Sequence, residues 1–194
     1  MYLAIKRSAD IILSLLVLPI ILLIVFPIGI LIKYEDKGPV FFKSKRVGKN
    51  SRIFNMYKLR TMYVNAPDIR QQDGSTYNSA NDSRVTKIGK WLRKTSIDEL
   101  PQIFNILIGD MSIIGPRPST PYWLTICKPE ELEILNVLPG LTGYNQAYFR
   151  NSINDSEKYK NDLYYVKNMS IRLDLKIFFK TIEVVLKRDK VFNN

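Results

Sequence analysis

A long stretch without a single charged residue, residues 11–32, constrains this chain more than any other part of its sequence. As a straight helix the stretch would be about 33 Å long, which is roughly the thickness of the hydrocarbon core of a bilayer. It is longer than the apolar core of a signal peptide, and no small-residue cleavage site follows it. The sequence therefore predicts a helix that lies in a membrane.

Two features of this stretch indicate how the helix sits in the membrane. Pro19 and Pro27 lie inside it, and each proline removes a helical hydrogen bond and bends the axis. Both flanks are basic, through Lys6, Arg7, Lys33, Lys37, Lys43, Lys45 and Arg46. The positive-inside rule then keeps both ends in the cytoplasm. A kinked, re-entrant helix satisfies both features and is favoured over the alternative, an ordinary span with a short tail outside.

The composition limits the chemistry that the chain can carry out. Lys and Arg number 29 against 18 Asp and Glu, so the net charge of +11 suits a nucleic acid, anionic lipid headgroups or a phosphorylated substrate. There is no histidine, which excludes Ser-His-Asp triads and His-based zinc sites. A single cysteine, Cys127, excludes an internal disulfide and fits a reducing compartment. A site built from carboxylates alone would suit a hard cation such as Mg²⁺.

The remaining chain predicts short strands followed by several helices. Two strand-like runs, residues 40–42 and 53–60, flank a turn at residues 47–51 and predict a β-hairpin. Its cations, among them Lys58 and Arg60, either face phosphates or headgroups or are simply solvated. Helical spacing of apolar residues predicts further helices at residues 85–94, 128–137, 157–168 and 171–186.

The last predicted helix is amphipathic. Its lysines, on the side opposite most of its apolar residues, suit the surface of an anionic membrane, although an ordinary core helix would show the same pattern. We therefore expect a mostly helical α+β fold with a re-entrant membrane helix, a small β-hairpin and amphipathic interfacial helices. The domain boundaries are expected at residues 1–35, embedded in the membrane, and residues 36–194.

Two adjacent carboxylates, Asp98 and Glu99, are the strongest candidates for chemistry. Ser96 and Glu99 fit the Ser-x-x-Glu capping box, which marks the start of a helix, and Pro101 is tolerated only near such a start. Both carboxylates are then expected in the first turn, where free N–H groups and the helix dipole favour negative charge. Taken alone, the motif also fits a simple structural cap, with Asp98 a solvated acid.

Several blocks, taken in order along the chain, resemble one family. They are Lys6-Arg7 with Asp10 before the apolar stretch, Gly-Pro-Val-Phe-Phe at 38–42, Lys-Leu-Arg-Thr-Met at 58–62, Thr-Ser-Ile-Asp-Glu-Leu-Pro-Gln at 95–102, Gly-Asp-Met-Ser at 109–112 leading into Gly-Pro-Arg-Pro at 115–118, Pro-Gly-Leu-Thr-Gly at 139–143 with Gln146 and Arg150-Asn151 after it, and Leu-Asp-Leu-Lys at 173–176. Each block is weak alone, but together they resemble the bacterial sugar transferases, which are monotopic polyprenyl-phosphate phosphoglycosyl transferases. The resemblance is to the short form of that family.

The resemblance implies a reaction and a set of site residues. Members of the family transfer a phospho-sugar from a UDP-sugar to polyprenyl (undecaprenyl) phosphate with the help of Mg²⁺ and release UMP. By position, Asp98 corresponds to their nucleophile, which forms a covalent phospho-sugar intermediate, and Glu99 to the neighbouring acid that helps to bind the metal. The basic motif positions that resemble phosphate-binding residues are Lys58, Arg60, Arg117 and Arg150, and Asp174 matches a motif acid without an assigned role.

The resemblance also implies where the chain works. Residues 36–194 would form the catalytic domain on the cytoplasmic side of the bacterial inner membrane, in contact with membrane lipid, at the first membrane step of glycoconjugate synthesis. No nucleic-acid partner is expected. The transferred sugar, the length of the polyprenol, the glycan pathway and the oligomeric state stay open, with a homodimer as one option.

Two other hypotheses compete with a transferase. One is a membrane-tethered basic binding module without catalysis, which the net charge of +11 favours but which leaves Asp98 and Glu99 unexplained beyond capping. The other is a catalytically silent scaffold of the same fold, against which the intact pair of carboxylates argues. Metal dependence and the effect of Asp98→Asn on turnover distinguish these hypotheses.

Overall fold

A computed structural model describes residues 1–69, 77, 79, 82–149 and 152–187 of the chain. Helices dominate this part of the chain, as the sequence predicts. The helices are α1 (Tyr2–Asp36), α2 (Lys87–Thr95), α3 (Gln102–Ile108), α4 (Tyr144–Tyr148), α5 (Asp155–Lys167) and α6 (Ile171–Lys187). The strands are β1 (Phe41–Val47), β2 (Ile53–Leu59), β3 (Ser112–Ile114) and β4 (Gly140–Thr142).

Helix α1 is a single 35-residue helix that continues through Pro19 and Pro27. The residues that it buries repeat at helical spacing along its length and are Asp10, Ser14, Ile21, Val25, Ile28, Gly29 and Ile32. Its other face is apolar and exposed, with Leu23 and Phe26 more than 70% accessible (76% and 74%). The helix is long and apolar enough to cross a membrane. A membrane helix is thus consistent with the structure, and its re-entrant path remains a prediction.

Both ends of α1 are attached to the rest of the fold. Near the first end, the Asp10 carboxylate accepts a hydrogen bond from the Ile113 N–H at 3.0 Å, and Arg7 donates to the carbonyl of Ile106 at 2.7 Å. At the other end, Asp36 forms an ion pair with Arg60, directly after β2. Helix α1 is therefore packed along the body of the protein instead of projecting from it.

The predicted β-hairpin is confirmed. Strands β1 and β2 pair antiparallel, with Phe41 opposite Leu59 and Val47 opposite Ile53. The inner face of the hairpin packs on α1, α2 and α3 in the main hydrophobic core, to which it contributes Phe54, Met56 and Leu59. Asn105 of α3 fixes the hairpin further. Its side chain accepts from the Tyr57 N–H at 2.9 Å and donates to the Asn55 carbonyl at 2.8 Å. Asn105 thus provides hydrogen-bond partners for two backbone groups on the edge of β2 that does not pair with β1.

The predicted helices are largely confirmed. In α2, Leu92 is buried, whereas Trp91 is 50% exposed. The segment near residues 128–137 is a 3₁₀ helix, Pro129–Asn136, instead of an α-helix.

The carboxyl-terminal half forms a second core around a short parallel pair of strands, β3 and β4. Ile114, Ala147, Tyr165 and Ile177 make this core, so α6 is partly a core helix. Its other apolar residues are exposed, including Leu175, Phe179 and Leu186. The apolar surface of α6 is thus consistent with a helix at a membrane surface, which remains a prediction.

Candidate active site

Asp98 and Glu99 lie in a single turn of 3₁₀ helix, Ile97–Glu99, between α2 and α3. The predicted capping box is wrong. Ser96 adopts a left-handed conformation (φ 58°), ends α2 with its N–H on the Arg93 carbonyl, and makes no side-chain capping bond. The helix after Pro101 begins at Gln102, as Pro101 predicts. The two carboxylates therefore occupy a tight turn between two helices, not the first turn of α3.

Glu99 is held by two cations that the sequence also predicts. Lys58 of β2 donates to Glu99 Oε1 at 2.7 Å, and Arg117 donates to the same oxygen at 2.8 Å. Burial opposes ionisation of Glu99, but the charges of Arg117 and Lys58 outweigh it and hold the pKa of Glu99 well below its usual range. Three predicted site residues from distant parts of the chain thus meet at one carboxylate.

Asp98 differs from its neighbour because it is buried (8% exposed) and makes no hydrogen bond or ion pair with any described residue. Burial raises the pKa of Asp98 to about 6; the charge of Lys58 opposes this rise, and that of Glu99 adds to it. Arg93 and Arg117 also favour the ionised form. Asp98 is therefore a shielded carboxylate with cations close by and none bonded to it.

Arg93 is a site residue that the sequence does not single out. It lies in the last turn of α2, and its Nε donates to Thr61 Oγ1 at 3.0 Å, which orients the guanidinium. Burial lowers the pKa of Arg93, and the negative charge of Asp98 opposes this shift. Nothing in the sequence distinguishes Arg93 from the neighbouring Lys94, which is exposed. Only the packing of α2 on Thr61 reveals which of the two cations faces the site.

Arg117 projects from a segment whose backbone is held in place by the 139–143 loop. The Gly115 N–H donates to the Thr142 carbonyl at 2.9 Å, and the Gly140 N–H donates to the Pro116 carbonyl at 2.8 Å. A Cβ on Gly143 would lie 2.1 Å from the Gly115 carbonyl oxygen, so no side chain fits there. This close approach explains why the Gly-Pro-Arg-Pro and Pro-Gly-Leu-Thr-Gly blocks are both needed to place one arginine.

The structure does not bring Arg60 to the two carboxylates. Arg60 is 7% exposed, and its guanidinium donates to the Asp36 carboxylate and to the carbonyls of Pro39 and Met62. These contacts join the end of α1 to the end of β2. Binding of phosphate by Arg60 remains a prediction, and the observed contacts give Arg60 a structural role.

Asp174 and Arg150 complete the set of predicted residues. Asp174 accepts hydrogen bonds from the hydroxyls of Tyr2 and Tyr165, at 2.7 and 2.8 Å, and from Lys6 at 2.8 Å. It therefore joins the first turns of α1 to α5 and α6. Arg150 lies outside the described residues, so its predicted role in phosphate binding stays open.

The residues present fit a magnesium ion. Mg²⁺ is commonly held by one or two carboxylates together with substrate phosphates and water. Glu99, the predicted metal residue, supplies one such carboxylate, and among the described residues its Oε2 has only a 3.5 Å contact with Arg117. The described residues contain no cluster of three or more acidic, cysteine or histidine side chains that would form a metal site by themselves. The arrangement thus suits an ion that arrives with a phosphorylated ligand.

The fold and the site together define a class of protein. A helix with the length and apolarity of a membrane segment packs on α3, and the turn before α3 carries a carboxylate that three cations face and that has no bonded partner among the described residues. Such a site suits the handling of phosphoryl groups at a membrane. The sequence model of the bacterial sugar transferase family matches residues 1–188, and the chain belongs to this family.

Curated relatives give the same family relationship. The chain is 40% identical over 191 residues to the UDP-N-acetylgalactosamine-undecaprenyl-phosphate N-acetylgalactosaminephosphotransferase of Aeromonas hydrophila, covering 95% of this chain and 44% of the relative. It is 36% identical to the undecaprenyl-phosphate galactose phosphotransferase of Salmonella typhimurium, covering 96% and 41%. It is also 37% identical to the exopolysaccharide production protein ExoY of Sinorhizobium fredii, covering 93% and 84%. The chain thus spans about two fifths of the length of the first two relatives.

Proposed function

We propose that this chain transfers a phospho-sugar from a UDP-sugar to undecaprenyl phosphate through a covalent intermediate on Asp98. The observation that carries the proposal is the contrast between the two carboxylates. Glu99 is bonded to Lys58 and Arg117, whereas Asp98 has cations near it and no bonded partner among the described residues. An ionised carboxylate without a partner is the one that can attack phosphorus, and it needs no histidine base.

The first step forms a bond between an Asp98 carboxylate oxygen and the phosphorus that carries the sugar. The bond from this phosphorus to the oxygen bridging the two phosphates breaks, and UMP leaves with that oxygen and its electron pair. Arg93 and Arg117 offset the negative charge of the diphosphate, which otherwise repels the carboxylate. Bound Mg²⁺, held by Glu99, would supply further neutralisation of this kind.

The second step regenerates the carboxylate. A phosphate oxygen of undecaprenyl phosphate attacks the phosphorus of the aspartyl phospho-sugar and forms the new diphosphate bond. The bond to Asp98 breaks, and its electron pair returns to the carboxylate. Neither step requires a proton from the protein, because the attacking oxygens are already ionised near neutral pH.

The attachment of both ends of α1 supports a membrane-embedded helix that enters and leaves through the same face. Asp10 is bonded to Ile113 and Asp36 to Arg60, so both ends contact the same polar body. A simple span would place these ends on opposite sides of the bilayer. A re-entrant helix places the site at the cytoplasmic surface of the inner membrane, where a soluble UDP-sugar meets a lipid-bound phosphate.

Release of UMP tests the proposal. The purified chain in detergent receives Mg²⁺, undecaprenyl phosphate and, in separate reactions, UDP-N-acetylgalactosamine, UDP-galactose and UDP-glucose. We expect continuous UMP release with at least one sugar, dependent on the lipid and abolished by EDTA and by Asp98→Asn. Without the lipid, a stoichiometric burst of UMP and a phospho-sugar adduct on the peptide containing Asp98 are expected.

Two results would contradict the proposal in different ways. One result is continuous turnover with the lipid but no UMP burst when the lipid is omitted. This result would indicate direct transfer between the two substrates and exclude the aspartyl intermediate. No UMP release from a panel extended to further nucleotide sugars, with folding confirmed, would favour the membrane-tethered binding module.

A further inference from the structure

Glu35, in the last turn of α1, contacts the first turn of α2 with both carboxylate oxygens. Oε1 accepts from the Lys87 N–H at 2.7 Å, and Oε2 accepts from the Ile88 N–H at 3.3 Å. The first N–H groups of a helix have no partner within the helix and carry partial positive charge, so they favour a carboxylate. These contacts connect residues that are 52 positions apart in the sequence.

Helix α2 already has a capping residue of its own. The Thr86 side chain accepts from the Gly89 N–H at 2.9 Å, which is the usual contact of an N-terminal cap. Glu35 is therefore not required to start the helix. Its contacts instead fix the position of α2 relative to α1.

The other end of α2 leads into the site. The helix ends at Thr95, and Asp98 follows three residues later. Arg93, in its last turn, is oriented by its bond to Thr61. With nine residues, α2 is only about 13 Å long, so it acts as a short rigid link.

The contact between α2 and Thr61 allows very little movement. A Cβ on Gly89 would lie 2.0 Å from the Thr61 carbonyl oxygen, and the Thr86 N–H donates to that same oxygen at 3.0 Å. Thr61 also holds Arg93, so a shift of α2 relative to Thr61 would change the contact of Arg93 as well.

We propose that Glu35 is a positioning residue, which docks α2 on the end of the membrane helix and thereby holds Arg93 beside Asp98. This inference rests on the proposed transferase function. Glu35 touches no substrate in this account and acts through α2 alone. The position of α1 is thereby coupled to the geometry of the Ile97–Glu99 turn, which carries Asp98 and Glu99.

Kinetics of Glu35→Gln test the proposal, with Glu133→Gln as the matched control. Among the described residues, Glu133 pairs only with the exposed Lys167, at 3.3 Å, so its substitution removes a carboxylate that has no bond to α2. With the UDP-sugar that the wild-type chain accepts, Glu35→Gln should lower kcat about tenfold while KM for the UDP-sugar changes less than twofold and the melting temperature is nearly unchanged. Loss of kcat matched by an equal loss of folded protein would overturn the proposal.

The UMP burst gives a second readout. Arg93 is one of three cations that face Asp98, with Lys58 from β2 and Arg117 from residues 115–118. Its displacement in Glu35→Gln should therefore slow the burst without abolishing it. A burst rate and a kcat equal to those of the wild type would refute the role of Glu35.

Hydrogen exchange separates failure of this inference from failure of the proposed function. In detergent, Glu35→Gln should accelerate exchange at residues 87–88 and also at residues 97–100, whether or not the chain turns over a UDP-sugar. Acceleration confined to residues 87–88 would show a local cap only and would overturn the coupling. If the wild-type chain releases no UMP while Glu35→Gln accelerates exchange in both regions, the coupling is retained and the transferase function is refuted.

Discussion

Two clusters of oppositely charged side chains in this protein both include an arginine from a basic motif block. They differ in whether every charged group has a bonded partner. At the end of α1, Asp36 and Arg60 are buried together, and the remaining donors of Arg60 contact the carbonyls of Pro39 and Met62. In the candidate active site, Glu99 is bonded to two cations, while Asp98 has no bonded partner among the described residues. The first cluster is complete within the fold, and the second can accept a ligand.

The difference shows how to distinguish a structural arginine from a functional one. Arg60 and Arg117 both occur in basic motif blocks, yet Arg60 is 7% exposed and Arg117 is 47% exposed. A buried arginine whose three nitrogens all donate to protein groups has little capacity left for a phosphate. An arginine that is half exposed beside an unpaired carboxylate has donors available for a ligand.

The largest expected effect is that of Asp98→Asn. Turnover should fall by about 10⁴-fold or more, because the attacking oxygen is lost and single removals of a nucleophile cost this much in other enzymes. The melting temperature should stay close to that of the wild type, since Asp98 has no bonded partner among the described residues. Measured UMP release and thermal unfolding check both statements, and residual turnover near the wild-type rate would exclude Asp98 as nucleophile.

For Asp36→Asn we expect a loss of stability without a loss of activity. Removing one member of a buried ion pair leaves Arg60 uncompensated, so the free energy of unfolding should fall by about 3–5 kcal/mol. The activity of the protein that remains folded should not change. Thermal unfolding monitored by tryptophan fluorescence measures the loss, with the exposed Asp155→Asn as control. A changed KM for the UDP-sugar in folded Asp36→Asn would instead indicate that Arg60 binds substrate.

Arg117→Lys should have a smaller effect on catalysis than Asp98→Asn. Lysine keeps the charge but loses the planar pair of donors, so kcat/KM for the UDP-sugar should fall by about 10²-fold. The same substitution at exposed Arg52, in the turn of the hairpin, provides the matched control and should leave kcat/KM unchanged. Equal effects at both positions would show that Arg117 contributes only general positive charge.

The pH dependence of the UMP burst gives the smallest effect. Burial raises the pKa of Asp98 to about 6, so the burst rate should fall about tenfold for each pH unit below that value as the carboxylate is protonated. Glu99 stays ionised in this range, since its pKa is held below its usual value. The burst without lipid is the proper measurement, because undecaprenyl phosphate itself titrates near pH 6. A flat profile between pH 5 and 7 would contradict a buried, unpaired nucleophile.

Much of this architecture could be predicted from the sequence. The apolar stretch predicts the long helix, alternating residues and a turn predict the hairpin, and spaced apolar residues predict α5 and α6. The capping box at Ser96 is a wrong prediction because the same short motif follows a helix that ends there, and the left-handed conformation of Ser96 serves that ending. A local pattern cannot show which of two adjoining helices a polar residue belongs to.

The candidate site was only partly predictable for a similar reason. Asp98, Glu99, Lys58 and Arg117 occur in motif blocks, and the structure brings them together. The contact of Arg93 with Thr61 and the ion pair of Arg60 with Asp36 depend on packing between segments far apart in the chain. Side-chain spacing within a motif carries no information on such contacts.

The attachment of α1 to Asp174 has a consequence for how the protein is made. Tyr2 and Lys6 bond to a carboxylate that lies 172 and 168 residues further along the chain. At about 5–20 residues per second, that carboxylate leaves the ribosome roughly 10–30 s after the helix. Helix α1 therefore leaves the ribosome before its docking surface exists. Under the proposed insertion in the membrane, the newly made domain assembles against a helix that is already in the lipid.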